Sequence, residues 1–150
     1  MFKRILVPID GSRSSIAGLR AALSLARIHK ARIRLVHLAT ELPRVRPNDA
    51  ELLVGELYEL VRKRGGELLE RGIRYCRDRG VKADTALYLA IAGRASRVIV
   101  KEAKKWHADL VVMGTHGRRG IARLAMGSNA EAVARASSVP VLLVRAGKRR

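Results

Sequence analysis

The residues whose types and spacing could do chemistry are first of all glycines. Gly114 and Gly117 stand three apart, nine residues follow, and Gly127-Ser128 then opens a stretch of helical period. Residues without a Cβ at both ends of an arch allow main-chain amides to face inward. Such a nest of N–H groups, finished by a helix N-terminus with its partial positive charge, suits an anion. Phosphate is the obvious guest, and His116, Arg118 and Arg119 stand beside or within the arch as candidate phosphate contacts. The arch is not a Walker loop, because no GKS or GKT ending follows. Nor is it a dinucleotide fingerprint, because the glycines are wrongly spaced and do not follow the first strand.

The remaining candidates each carry a plainer reading beside the chemical one. Ser128 and Glu131 fit the S-x-x-E capping box, so Ser128 caps its helix or meets a ligand, and the two roles are compatible. Asp10, directly after an apolar run, is a ligand contact or the cap of the first helix. His37 at a strand end reads as a hydrogen-bonded structural residue, and no second His, Cys or carboxylate stands at metal-ligand spacing. Cys76, among Ile73 and Tyr75, reads as a packed thiol. Phosphoryl transfer needs a positioned base and a metal clamp, for which only Asp10 and His116 are candidates. A binding module with at most slow hydrolysis is therefore expected, not an enzyme. The SGGxDS and HxGH signatures of ATP-using α/β enzymes are missing.

These residues are positioned by apolar, β-branched runs that alternate with stretches of helical period, the pattern of βαβ units. Strands are expected at Lys3 to Ile9, Ile33 to Leu38, Lys82 to Leu89, Leu110 to Met113 and Val139 to Val144. A helix from about Ser14 to His29 should lay Ile16, Leu19, Leu23 and Ala26 on the sheet. A long helix from about Asp49 to Arg79 carries Gly65-Gly66, expected to weaken or kink it, and Gly80 stops it. Ala95, Val98, Ile99, Ala103 and Trp106 mark the inward stripe of a third helix, and the fourth begins near Ser128. Right-handed crossovers then give a parallel sheet covered on both faces, with ligands beyond the carboxyl ends of the strands, where their order reverses.

A chain of 150 residues is one domain by length, 1–150. One cysteine forms no intrachain disulfide, and no apolar stretch is long enough to span a bilayer, so a cytoplasmic location with no membrane contact is expected. The net charge of +18 invites a nucleic-acid reading. The cations are spread through nearly every element, however, and aromatic residues are only 3%, too few for stacking platforms. Non-specific association with nucleic acid is the most that this charge implies. A basic nucleic-acid-associated protein of the same fold stays as the alternative.

The whole pattern resembles the universal stress protein family. The resemblance rests on Lys3-Arg4-Ile5-Leu6-Val7-Pro8-Ile9-Asp10-Gly11-Ser12, on His37 closing the second strand, on Ala108-Asp109-Leu110-Val111-Val112-Met113, on Gly114-x2-Gly117-x9-Gly127-Ser128, and on Val139-Pro140-Val141-Leu142-Leu143-Val144. It implies an α/β fold of the adenine-nucleotide alpha hydrolase type: a five-stranded, parallel, doubly wound sheet in the order 3-2-1-4-5. It also implies binding of ATP, or of ADP or AMP, with Mg2+ in a stress-signalling role. Carried over by position, it sets Asp10 near the ribose or the metal-phosphate region, with Pro8 beside it, and brings the main chain of Leu38 to adenine. Met113 and Gly114 pack near the sugar, Gly117 and Gly127 admit the phosphates, and Ser128 with the Asn129 and Ala130 amides holds the terminal phosphates. Relatives often have a hydroxyl residue where this chain has Ala130; the resemblance thus leaves one contact missing, for which Arg118 or Arg119 could compensate. It implies further a homodimer through Val139 to Val144.

Overall fold

The computed structural model describes residues 1–39, 50–89, 94–116 and 127–147, with 50–54 as backbone alone. Five strands, β1 (Arg4–Pro8), β2 (Arg32–Ala39), β3 (Ala83–Leu89), β4 (Leu110–Gly114) and β5 (Val141–Val144), alternate with four helices, α1 (Arg13–His29), α2 (Ala50–Arg77), α3 (Ala95–Lys105) and α4 (Ser128–Ala136). The strands form one parallel sheet in the order β3-β2-β1-β4-β5. Ile5 pairs with Ile33 on one side and Leu110 on the other, so the order reverses between β1 and β4.

Alternation along each strand divides the core. Ile5 and Val7 face one layer with Ile33, Leu35, Leu110 and Val112, covered by Leu19, Leu23 and Ala26 of α1 and Leu69 and Cys76 of α2. Leu6, Val36, Val111 and Met113 face the other, covered by Ile99, Ala103 and Trp106 at α3 and Ala130 and Val133 of α4. Each fully buried aliphatic side chain contributes roughly 1.5–3 kcal/mol, which fixes both layers. On α1 the sheet-facing stripe is Ser15, Leu19, Ala22, Leu23 and Ala26; Ile16, expected on it, is 43% exposed because it lies one helical step to the side.

The Gly65-Gly66 pair does not end α2, which runs through it. Gly65 permits contact: a Cβ there would lie 2.8 Å from Leu87 Cδ1 and 3.0 Å from His37 Cδ2. Gly72, one heptad on, would meet buried Leu35 at 2.6 Å. The helix thus lies so close to β2 and β3 that a side chain at either position would have to displace Leu87 and His37 or Leu35.

Three helices hand over to the following strand by the same turn. Lys30 (φ 54°), Gly80 (φ 71°) and His107 (φ 54°) occupy the left-handed region. The next amides, of Ala31, Val81 and Ala108, donate back to Ala26, Cys76 and Ala103 at 2.9, 3.1 and 2.8 Å. This is the Schellman arrangement, and the returning residues are buried, as that motif favours. Only at Gly80 does glycine supply the conformation.

Sequence pattern did not foresee one feature of α3. Glu102, on the inward stripe, is 2% exposed. Its carboxylate accepts from Arg34 Nη1 at 2.9 Å and from the Tyr88 hydroxyl in a short bond. Arg34 in turn donates through Nε to Asp84 at 2.5 Å, and its guanidinium stacks 4.8 Å from the Trp106 ring centre. The bond to Glu102, then burial, push the Tyr88 phenol up to about 12. A buried carboxylate is tolerable only when its oxygens are satisfied in this way, and the knot fixes α3 against β2 and β3.

Candidate functional site

The site is assembled at the carboxyl edge, where β1 and β4 send their chains to opposite faces of the sheet, a switch point of the kind that binds ligands in open α/β folds. After β1, the Ile9 amide donates to Val36 O at 2.8 Å, holding the exit of β1 to β2. Asp10 then folds back, its Oδ1 accepting from the Ser12 amide at 2.9 Å, and Gly11 takes φ +79° to complete the turn. The N-cap of α1 is Ser12, whose Oγ accepts from the Ser15 amide at 3.2 Å. The capping alternative for Asp10 is therefore set aside: its carboxylate shapes the turn before the cap.

The exit of β4 is built against α1. A Cβ on Gly114 would lie 2.5 Å from the carbonyl carbon of Ser14, and one on Gly18 3.2 Å from the Gly114 amide nitrogen. Gly114 is therefore needed for main-chain contact, and Gly18 keeps the approach close. The Ser14 hydroxyl donates to the His116 carbonyl in a short bond, and Thr115 Oγ1 lies 2.9 Å from His116 Nδ1. The Thr115 amide donates to Val144 O at 3.0 Å, which ties the turn to β5 as well.

Gly127 closes the arch. Its amide donates to Thr115 O at 2.8 Å, and a Cβ there would sit 2.9 Å from that oxygen. Gly127 is also the N-cap of α4, with extended backbone and no side-chain cap bond. The capping box is therefore not formed: Ser128 is the first helical residue, exposed, and Glu131 pairs instead with Arg135 at 2.8 Å. The first main-chain bond of the helix runs from the Glu131 amide to Gly127 O at 3.0 Å. The Ser128, Asn129 and Ala130 amides therefore belong to the first turn, where a helix has no carbonyl of its own to offer them. The N-termini of α1, through Ser14, and α4, through Gly127, both meet the Thr115-His116 turn, and each brings a partial positive charge.

Pro8, Asp10, Met113, Gly114, His116, Gly127, Ser128, Asn129 and Ala130 are thus gathered at the exits of β1 and β4 and the start of α4. Leu38 stands one strand away, near the end of β2 and paired with Tyr88. Gly117, Arg118 and Arg119 lie outside the described residues. Ala130 is 2% exposed and packs in the second core layer, so it can offer the crevice only its amide. His37, 8% exposed, donates from Nδ1 to the Ile9 carbonyl at 2.7 Å, a structural bond that fixes its tautomer. Cys76 is fully buried and its thiol is pushed up to about 11 by that burial, partly offset by Arg79. No group of three or more His, Cys, Asp or Glu among the described residues is placed to hold a metal. No helix among them is long and apolar enough to cross a membrane.

Sequence reasoning missed Ser14 and Gly18, and it quoted Ser12 without its role as the cap of α1. The serines cluster at the start of α1, but only the contact between α1 and β4 shows that Ser14 and Gly18 serve the Met113 to His116 turn.

Comparison with known proteins agrees with this fold. The profile of the Universal stress protein family matches residues 1–145. Universal stress protein MJ0531 of Methanocaldococcus jannaschii is 32% identical over 149 residues, 99% of this chain and 85% of the relative. Universal stress protein YxiE of Bacillus subtilis is 30% identical over 151 residues, 97% of this chain and 100% of the relative. Among solved structures, MJ0577 of M. jannaschii superposes with a TM-score of 0.84 at 25% identity, covering 99% of both chains. A universal stress protein from Archaeoglobus fulgidus, solved in complex with dAMP, has a TM-score of 0.66 at 21% identity, covering 95% of this chain and 98% of its own. An Arabidopsis thaliana family protein with AMP bound has a TM-score of 0.70 at 18% identity, covering 97% and 92%. A family match that runs from the first strand through the last leaves one conclusion: the chain belongs to the universal stress protein family.

Proposed function

We propose that the crevice between β1 and β4 binds ATP or a related adenine nucleotide, its phosphates resting on the first-turn amides of α4. The observation that carries this reading is the start of α4: Gly127 leaves the helix without a side-chain cap, and Ser128 exposes its hydroxyl there. Proteins of this fold solved with dAMP and AMP make an adenine nucleotide the ligand to test. Asp10 and Pro8 flank the sugar and inner phosphates, Leu38 offers main-chain groups to the base, Met113 and Gly114 line the sugar side, and Gly117 with His116, Arg118 and Arg119 completes the phosphate contacts. With one carboxylate nearby, Mg2+ is carried mainly by the nucleotide, as is usual for that ion.

The protein then acts as a regulatory binding module in stress signalling, with hydrolysis slow at most. Asp10 Oδ1 accepts from the Ser12 amide, which gives this carboxylate a turn-shaping role. Leu142 of the edge strand β5 is 40% exposed, and a homodimer through β5 would cover it. Light scattering at micromolar concentration tests this: a dimer mass is expected, and a monomer mass contradicts it.

A thermal-shift series of nucleotides with and without magnesium tests the ligand. At about a hundred times Kd a ligand adds about 2.7 kcal/mol, which at roughly 2–4 °C per kcal/mol is readily seen. The net charge of +18 favours one rival reading, a nucleic-acid-associated protein. That reading predicts duplex DNA binding that falls roughly a thousandfold between low and moderate salt, and no response to ATP.

A further inference from the structure

On the face of the sheet away from α1 and α2, helices α3 and α4 flank a groove of about 520 Å³. Its apolar floor is half-buried Val100 and Ala132 with exposed Ala136 beside them, and the exposed Arg97, Lys101 and Lys104 line it with positive charge. The three cations recur at four- and three-residue spacing, so they stand in one row roughly 10 Å long. All three are exposed, and among the described residues none of the three side chains has an ion pair or hydrogen bond. The acids of these two helices are already engaged: Glu102 is turned inward to Arg34 and Tyr88, and Glu131 holds Arg135. Like charges at this spacing oppose the helix that carries them, and an anionic partner would relieve that opposition.

We infer that this groove docks an acidic amphipathic helix of a partner protein. A third helix fills the furrow between two others by ridge-into-groove packing, and carboxylates repeating on it at four- and three-residue spacing meet the cation row while its small apolar residues cover the floor. A nucleic-acid strand would satisfy the cations but leave the floor bare. It would also find no stacking platform, since Trp106 is buried beneath α3 at 8% exposure. The inference stands on this groove alone and does not depend on nucleotide binding.

The test uses the full chain and a dye-labelled synthetic peptide of about 16 residues, long enough to hold a helix. The peptide carries one glutamate row at that spacing beside an alanine and leucine row. At about 0.15 M salt, anisotropy should show binding that weakens about tenfold or more in an Arg97→Glu, Lys101→Glu, Lys104→Glu variant. The same charge change on the exposed face of α2, Arg62→Glu, Lys63→Glu, Arg64→Glu, should leave affinity within about twofold. Ala136→Glu, which blocks the floor and keeps the cations, should also lose the peptide; it guards against a charge variant that fails to fold. Absence of binding, equal weakening by both charge variants, equal binding of a scrambled peptide, or displacement by single-stranded DNA of equal charge overturns the inference.

Discussion

The Gly127 amide donates to the Thr115 carbonyl at 2.8 Å, so β4's exit and α4's entry are joined at one point. The same turn receives the N-terminus of α1 through the bond from Ser14 to the His116 carbonyl. Two helix N-termini are thereby fixed around one crevice by main-chain contacts that only glycine at 114 and 127 permits. The geometry of the proposed anion site is thus set by backbone packing.

Gly114→Ala tests that packing. The added Cβ would lie 2.5 Å from the Ser14 carbonyl carbon, a main-chain atom that cannot rotate away. A loss of about 1–3 kcal/mol is expected, measured by urea unfolding, with nucleotide affinity reduced because the start of α1 is pushed from β4. Unchanged stability would mean that α1 does not rest on β4 this closely.

Ser128→Ala separates ligand contact from helix capping. Since Gly127 holds the cap position, the substitution should change stability by less than about 0.5 kcal/mol. A lost hydrogen bond to a charged phosphate corresponds to about 1.5–3 kcal/mol, so ATP affinity should fall about tenfold or more by titration calorimetry. The opposite pattern, a destabilised chain with affinity intact, would return Ser128 to the cap.

Much of this was legible in the sequence. The wholly apolar run Leu110 to Met113 reads as a strand covered on both faces, and Gly114 and Gly127 stand where the exit of β4 meets the entry of α4. The capping box was misleading because S-x-x-E describes side chains that can reciprocate, whereas the cap is set by which residue takes extended backbone; here that is Gly127. Glu102 was invisible for a different reason. A charged residue among Ile99, Ala103 and Trp106 reads as solvated, and its partners Arg34 and Tyr88 arrive from β2 and β3 only when the sheet forms. Gly65 likewise reads as a weak point of its helix until Leu87 is placed beneath it.

The left-handed turns at Lys30 and His107 offer stability. A side chain in that region costs about 1 kcal/mol relative to glycine, and the Schellman bonds keep the conformation fixed. Lys30→Gly and His107→Gly should each raise the melting temperature by roughly 2–4 °C. A lowered melting temperature in both would show that these side chains contribute more than the backbone strain removes.

The Tyr88 phenol predicts an alkaline weakness. Its pKa is higher folded than unfolded, so the folded chain holds the proton more tightly. That stabilisation is whole below its ordinary value of 10.0 and disappears as pH rises toward about 12. Tyr88→Phe should flatten this decline. It should also cost about 1–3 kcal/mol at neutral pH, because a buried Glu102 oxygen loses its donor. Urea unfolding at neutral pH and at about pH 11 measures both effects; parallel declines in the two proteins would remove Tyr88 as the cause.

The proposed placement of the phosphates is tested most directly by an amide-resolved NMR titration of the protein with ATP, run beside adenosine. The account predicts that ATP moves the Ser128, Asn129 and Ala130 amides most, together with those of the Asp10 to Ser12 turn, and that adenosine leaves the α4 amides nearly still. Saturation with ATP that leaves those three resonances in place, or equal shifts with both compounds, would contradict it.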